Sequence, residues 1–283
     1  MRTGRIISAA VIGAGLIGAT ALARAVRGVQ APAAGDIAGF LELPIDERER
    51  RPVVAVLGAS IVRGRASVDF VRILREDFPD LAFVNGGVNS RVAWELLKSM
   101  DDVMACAPSA AVILIGTNDV EATLAPDGGK SVMRSKQLPQ VPSLDFYGEC
   151  LTAIVDRLHE GGARVAVCSL PPLGQTLADQ ANERTREFNR VIEVVCESRE
   201  ATYLPVNERM SDMLRDHAVD AEQPFTGSWR PGIESLVRHF VGRQSFDDIS
   251  DLSGRMLSPD GVHLNSVGAH VVADLAAEFL SAD

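Results

Sequence analysis

Four residues of this chain, Ser60, Asn118, Asp260 and His263, carry groups that could together transfer an acyl unit. A serine hydroxyl is a poor nucleophile at neutral pH and needs a base within hydrogen-bond reach. Histidine, with a free pKa near ~6.5, can take that proton and pass it to a leaving group. A carboxylate three residues earlier, on one tight turn, can reach the far ring nitrogen and fix its tautomer. The oxyanion that forms at the attacked carbonyl needs donors aimed at it. The amide N–H of Ser60, a loop N–H at Ser90 and the Asn118 side-chain amide could supply three. Taken singly, these residues read as a turn serine, a loop asparagine and a structural histidine.

The elements around them must bring the groups together. Ser60 closes the run Val53-Val54-Ala55-Val56-Leu57-Gly58-Ala59-Ser60, in which no polar residues alternate. That pattern predicts a strand buried on both faces of a parallel sheet, here Val53–Leu57. Further strands are predicted at Leu81–Asn85, Ala110–Ile115, Arg164–Ser169 and Thr202–Pro205. Helical patterns fall near Val68–Asp77, Val92–Asp101, Leu144–Glu160, Leu177–Ser198 and Ser266–Leu280. Strands alternating with helices imply right-handed crossovers and helices on both faces of the sheet. Asn85-Gly86-Gly87-Val88-Asn89-Ser90 then follows the second strand, and Gly116-Thr117-Asn118-Asp119 follows the third. Asp260-Gly261-Val262-His263-Leu264-Asn265 precedes the last helix. All belong to the carboxyl rim of the sheet, where open α/β folds bind ligands. Two stretches, 122–142 and 217–257, break the rhythm and read as inserts. In the second, Phe225, Trp229, Ile233, Leu236 and Phe240 suggest either an apolar substrate wall or an insert helix packed on the domain.

In this order and spacing the blocks resemble the SGNH (GDSL-like) family of esterases and lipases, over nearly all of Val53–Leu280. The resemblance implies an α/β fold, a three-layer α/β/α sandwich with a five-stranded parallel sheet of SGNH/flavodoxin-like type. It implies a serine esterase or lipase-type hydrolase that cleaves acyl esters through an acyl-enzyme. Ser60 would be the nucleophile, His263 the base and Asp260 its orienting acid. Ser60, Ser90 and Asn118 would form the oxyanion hole. An acyltransferase acting on a sugar or lipid alcohol, or a ligand-binding member with weak turnover, would use the same scaffold. The first block here reads Gly58-Ala59-Ser60, where the family has Gly-Asp-Ser. Ser90 stands where the family's second block has a glycine, so the N–H donor survives only if that turn accepts a Cβ. Gly58-Ala59-Ser60-Ile61-Val62 also lacks the second glycine of a Gly-x-Ser-x-Gly elbow.

Composition sets the outer bounds. The chain has 283 residues, 46% of them apolar, and a formal net charge of −10. It offers no basic footprint for nucleic acid. The four cysteines, Cys106, Cys150, Cys168 and Cys196, show no metal-ligand spacing and read as small buried hydrophobes, with a disulfide left open. No cofactor or metal is expected. The partner is a small-molecule, lipid or sugar ester, and the chain is expected to be a monomer. Residues 1–27 read as a signal peptide or membrane anchor, since Ile6–Ala23 is nearly uncharged and follows Arg2 and Arg5. That places the domain outside the cytoplasm, touching membrane only through this segment. Gly13-Ala14-Gly15-Leu16-Ile17-Gly18 matches G-x-G-x-x-G, but the next acid, Asp36, sits in a Pro- and Ala-containing stretch and not at a strand end. Small residues in a membrane segment explain those glycines more simply. Residues 28–51 read as a solvated linker or short surface helix, and 52–283 as the hydrolase domain.

Overall fold

A computed structural model describes residues 19–216 and 223–282. Gly13–Gly18 and most of the apolar N-terminal run lie outside the described residues. Among the described residues, no helix is long and apolar enough to cross a membrane.

Five parallel strands form one sheet: β1 (Val53–Gly58), β2 (Ala82–Gly87), β3 (Ala110–Leu114), β4 (Arg164–Cys168) and β5 (Thr202–Leu204). Their order is β2-β1-β3-β4-β5. β1 pairs with β2 on one side (Val54 opposite Phe83) and with β3 on the other (Val54 opposite Ala110). The winding therefore reverses between β1 and β3, and the crevice of a doubly wound sheet opens at their carboxyl ends. Val56, Leu57, Val112 and Ile113 are fully buried, as an unbroken apolar run requires. Burying each such side chain is worth roughly 1.5–3 kcal/mol.

Helices cover both faces. Phe70–Asp77, Ser266–Ser281 and Val206–Asp216 pack together on one side, and Ala93–Lys98, Leu144–Glu160 and Gln180–Arg199 on the other. Leu144–Glu160 shows why: Phe146, Tyr147, Cys150, Leu151, Ile154, Val155 and Leu158 recur at helical spacing and are all buried. The Ser143 hydroxyl caps its first turn by accepting from the Phe146 N–H at 3.1 Å.

Several elements differ from the sequence expectation. The helix expected over Val92–Asp101 divides into Ala93–Lys98 and Met100–Met104. Ser99 lies between them and donates its hydroxyl to the Leu96 carbonyl at 2.9 Å, a local bond that competes with helix continuation. Val206–Asp216 and Thr117–Leu124 are helices where none was expected. The inserts hold the helices Lys130–Lys136, Arg230–Phe240 and Phe246–Leu252.

Of residues 28–51, expected as a solvated linker or short surface helix, the first part is docked, while 42–51 is mostly exposed and holds the short helix Ile45–Arg48. Residues 19–30 are helical, Ala25 and Ala33 are buried, and Phe40 packs with Val53, Val84 and Cys106. Gly35 accepts from the Asn85 N–H at 2.8 Å, and Asp36 bridges Asn85 in parallel alongside β2. The four cysteines are buried and unpaired. Burial pushes the Cys106 thiol up to about 11 and the other three to about 12, so none is a thiolate at neutral pH.

Candidate active site

Ser60 opens the short helix Ser60–Arg63 directly after β1. Gly58 must lack a side chain there, because a Cβ would fall 2.2 Å from the Leu114 carbonyl of β3. The Ser60 hydroxyl lies 2.9 Å from His263 Nε2, although the two residues are 203 positions apart. His263 Nδ1 lies 2.7 Å from Asp260 Oδ2. Asp260 Oδ1 accepts the N–H groups of Val262 and His263, each at 2.9 Å. The turn that puts a carboxylate three residues before the imidazole is therefore closed by that carboxylate itself.

Contacts outside the four residues hold this line of atoms in register. The Leu264 N–H donates to Ser67 Oγ at 2.9 Å, and the Leu264 carbonyl accepts from the Val68 N–H at 2.9 Å. Ser67 is buried and ties the chain just after Ser60 to the residue just after His263. Asn265 caps the helix Ser266–Ser281 by accepting from the Gly268 N–H, and donates to the Met256 carbonyl at 2.9 Å. Nothing in the local sequence around Ser67 marks it, because its partner lies at the far end of the chain.

The second and third rim loops meet beside Ser60. Asn85, fully buried, donates to the Val62 carbonyl at 2.8 Å and accepts from the Gly87 N–H at 2.9 Å. Ser90 adopts φ 58°, the left-handed region that favours glycine. The turn thus accepts a Cβ at this position. Asn118, in the first turn of Thr117–Leu124, donates one amide hydrogen to the Arg91 carbonyl at 3.0 Å. Asn118 also lines the cavity that holds Ser60.

Asp119, unremarked as a site residue in the sequence, clamps the same two loops. Its carboxylate accepts from the Ala93 N–H at 3.1 Å, at the start of the helix Ala93–Lys98. Burial pushes it up to about 7, against the lowering effect of that N–H. Between pH about 4 and about 7 the folded protein therefore holds this proton more firmly than the unfolded chain, and stability falls as pH rises. Asp119→Asn keeps an acceptor for Ala93 and removes the charge. We expect its melting temperature to gain on wild type as pH rises from about 5 to about 8. A difference that stays constant over that range, read by circular dichroism, would rule out a titrating Asp119.

The imidazole is partly buried, which disfavours its charged form, yet the Asp260 charge and hydrogen bond outweigh this and raise its pKa. The Asp260 side chain is buried, and His263 with the two N–H donors hold its carboxyl below the usual range. Glu121 faces the same cavity, and burial raises it, with His263 opposing and Asp260 adding to the effect. The cavity, about 530 Å³, is lined by Ser60, Ser90, Asn118, Glu121 and His263 and walled by Phe225, Trp229 and Leu236. Of the five apolar insert residues expected as a wall, these three line it; Ile233 and Phe240 do not. Among the described residues no cluster could hold a metal ion. The arrangement can polarise a hydroxyl, take its proton and present N–H groups to a developing negative charge.

Comparison with known proteins agrees with this fold. The GDSL-like Lipase/Acylhydrolase family model matches residues 56–271. No curated protein matches the sequence. Among solved structures, the acetyl xylan esterase AlAXEase superposes with a TM-score of 0.56 at 14% identity, covering 81% of this chain and 99% of its own. A catalytic mutant of Axe2, an acetylxylan esterase from Geobacillus stearothermophilus, gives 0.59 at 15% identity, with 82% and 95% covered. A lipase/acylhydrolase from Enterococcus faecalis gives 0.52 at 16%, with 81% and 95% covered. Three-quarters of the chain answers to one family pattern, so this ester hydrolase belongs to the GDSL-like lipase/acylhydrolase family.

Proposed function

We propose that the protein hydrolyses acyl esters through a covalent Ser60 acyl-enzyme. The observation that carries this is the unbroken line from Ser60 Oγ through both ring nitrogens of His263 to Asp260. Ser60 Oγ attacks the ester carbonyl carbon while His263 Nε2 takes its proton. Asp260 holds the ring in the tautomer whose Nε2 can accept and stabilises the imidazolium that results. The N–H groups of Ser60 and Ser90 and the free amide hydrogen of Asn118 stabilise the oxyanion. Collapse expels the alcohol oxygen, which receives the proton from His263. Water then repeats the sequence and releases the acid. Ala59, in place of the family's aspartate, touches neither proton transfer nor the Ser60 N–H.

The substrate we infer is an ester whose alcohol portion is larger than a short alkyl group. A cavity of about 530 Å³ exceeds what an acetyl group fills, and the 70% exposed Trp229 stands at its wall. The two acetylxylan esterases among the structural neighbours make acetylated carbohydrate the first class to test. The apolar run Ile6–Ala23 supports an exported protein, carried by a cleaved leader or held by an anchor.

A fluorophosphonate probe tests the chemistry directly. We expect one covalent adduct, located at Ser60 by peptide mass spectrometry, and its loss when the protein is unfolded first. A folded protein that takes no label would favour a ligand-binding role on this scaffold.

A further inference from the structure

The segment Gly28–Ala31 lies outside the residues matched by the family pattern, yet it reaches the catalytic cavity. Three side chains grip its carbonyl groups. Arg63 donates to the Gln30 and Ala31 carbonyls at 2.7 and 2.8 Å. Arg65 donates to the Gly28 carbonyl at 3.1 Å. Asn89 donates to the Val29 carbonyl at 2.9 Å. Two of these donors follow Ser60 by three and five residues, and the third immediately precedes Ser90. The strap is therefore tied to the loop that carries the nucleophile and to the turn that carries an oxyanion donor.

The strap also encloses space. Val29 and Gln30 line the cavity that holds Ser60 and His263, together with Trp229, Pro231 and Leu236 of the second insert. Behind that wall Gly28 packs against the helix Arg230–Phe240, since a Cβ there would fall 2.3 Å from the Phe240 ring. A separate groove of about 760 Å³ touches Ser90 and Asn118 but neither Ser60 nor His263. A leaving-group oxygen must lie within hydrogen-bond reach of His263 Nε2 to receive its proton. The alcohol portion of the ester therefore sits in the chamber that the strap walls.

We propose that the strap Gly28–Ala31 is a specificity element of the active site: Val29 and Gln30 set the size of the alcohol accepted, and Asn89, held by the strap, positions the Ser90 turn. This rests on the Ser60 esterase reading. Asn89 is a positioning residue, acting through Ser90.

The test uses the full chain and two acetate esters that share an acyl group, methyl acetate and a peracetylated disaccharide. Gln30→Trp narrows the chamber. It should lower kcat/KM for the disaccharide ester at least tenfold more than for methyl acetate, mainly through KM. Gln30→Ala widens the chamber and should move that ratio in the opposite direction. Asn89→Ala should lower kcat several-fold on both esters while KM changes little. If Gln30→Trp fails to fold, the shift of the ratio by Gln30→Ala decides alone. A ratio that neither folded variant moves overturns the proposal, as does an Asn89→Ala variant that alters only KM. Hydrolysis that persists in Ser60→Ala would instead overturn the esterase reading, so the two failures are distinct.

Discussion

Ser60→Ala is expected to lower ester hydrolysis by about 10⁵-fold while leaving the fold unchanged. The substitution removes one oxygen, whose only hydrogen-bond partner among the described residues is His263 Nε2. The Ser60 N–H stays at the start of its helix, so one of the proposed oxyanion donors remains. The Ser90 N–H and the Asn118 amide remain as well. Residual catalysis over water, of about 10³-fold, is therefore expected from the hole and from binding alone. The measurement is initial-rate hydrolysis of a short p-nitrophenyl ester, with melting temperature as the control for folding. A folded variant that retains more than a tenth of wild-type kcat/KM would place the nucleophile elsewhere.

The second large effect is expected from Asp260→Asn, a loss of about 10⁴-fold in kcat. Asparagine Oδ1 can still accept from the Val262 and His263 N–H groups, so the turn survives. Its amide would face His263 Nδ1 as a donor. The ring must then carry its hydrogen on Nε2, where it can no longer accept the Ser60 proton. The pH profile should move too. His263 acts as a base only when neutral, so activity falls as pH drops through its pKa. Burial alone would lower that pKa; the Asp260 charge and hydrogen bond raise it, with Glu121 adding to the rise. Removing the carboxylate leaves burial opposed only by Glu121. The acidic limb of kcat/KM should therefore move to lower pH in the variant. A limb that stays in place or moves upward would mean that Asp260 does not set the charge state of His263.

The sequence revealed the parts of this molecule whose physics is local. The unbroken apolar run of β1 has one solution, a strand covered on both faces, and Ser60 follows it directly. Asp260 and His263 share a single turn, so their spacing alone implies contact. Asn118 follows β3 at once and had to reach the same rim. Ser67 and Asp119 were hidden because their partners, Leu264 and Ala93, are 197 and 26 residues away. The segment 28–36 misled for a different reason. Its Pro, Ala and Gly content describes a chain with no periodic face, which fits a free tether. It equally fits a strap whose carbonyls are bound by side chains from Arg63, Arg65, Arg75 and Asn89. Periodicity cannot separate the two, since those donors lie in distant parts of the sequence.

The bridge between Asp36 and Asn85 has a consequence beyond catalysis. An outermost strand offers unsatisfied peptide groups to any passing chain, and long bare borders invite stacking into aggregates. On the β2 border the protein lays its own backbone across that position, with Gly35 occupying the Asn85 amide. On the opposite border, β5 is only three residues long and gives a newcomer little to grip. Both margins thereby offer a neighbouring chain little free backbone to pair with.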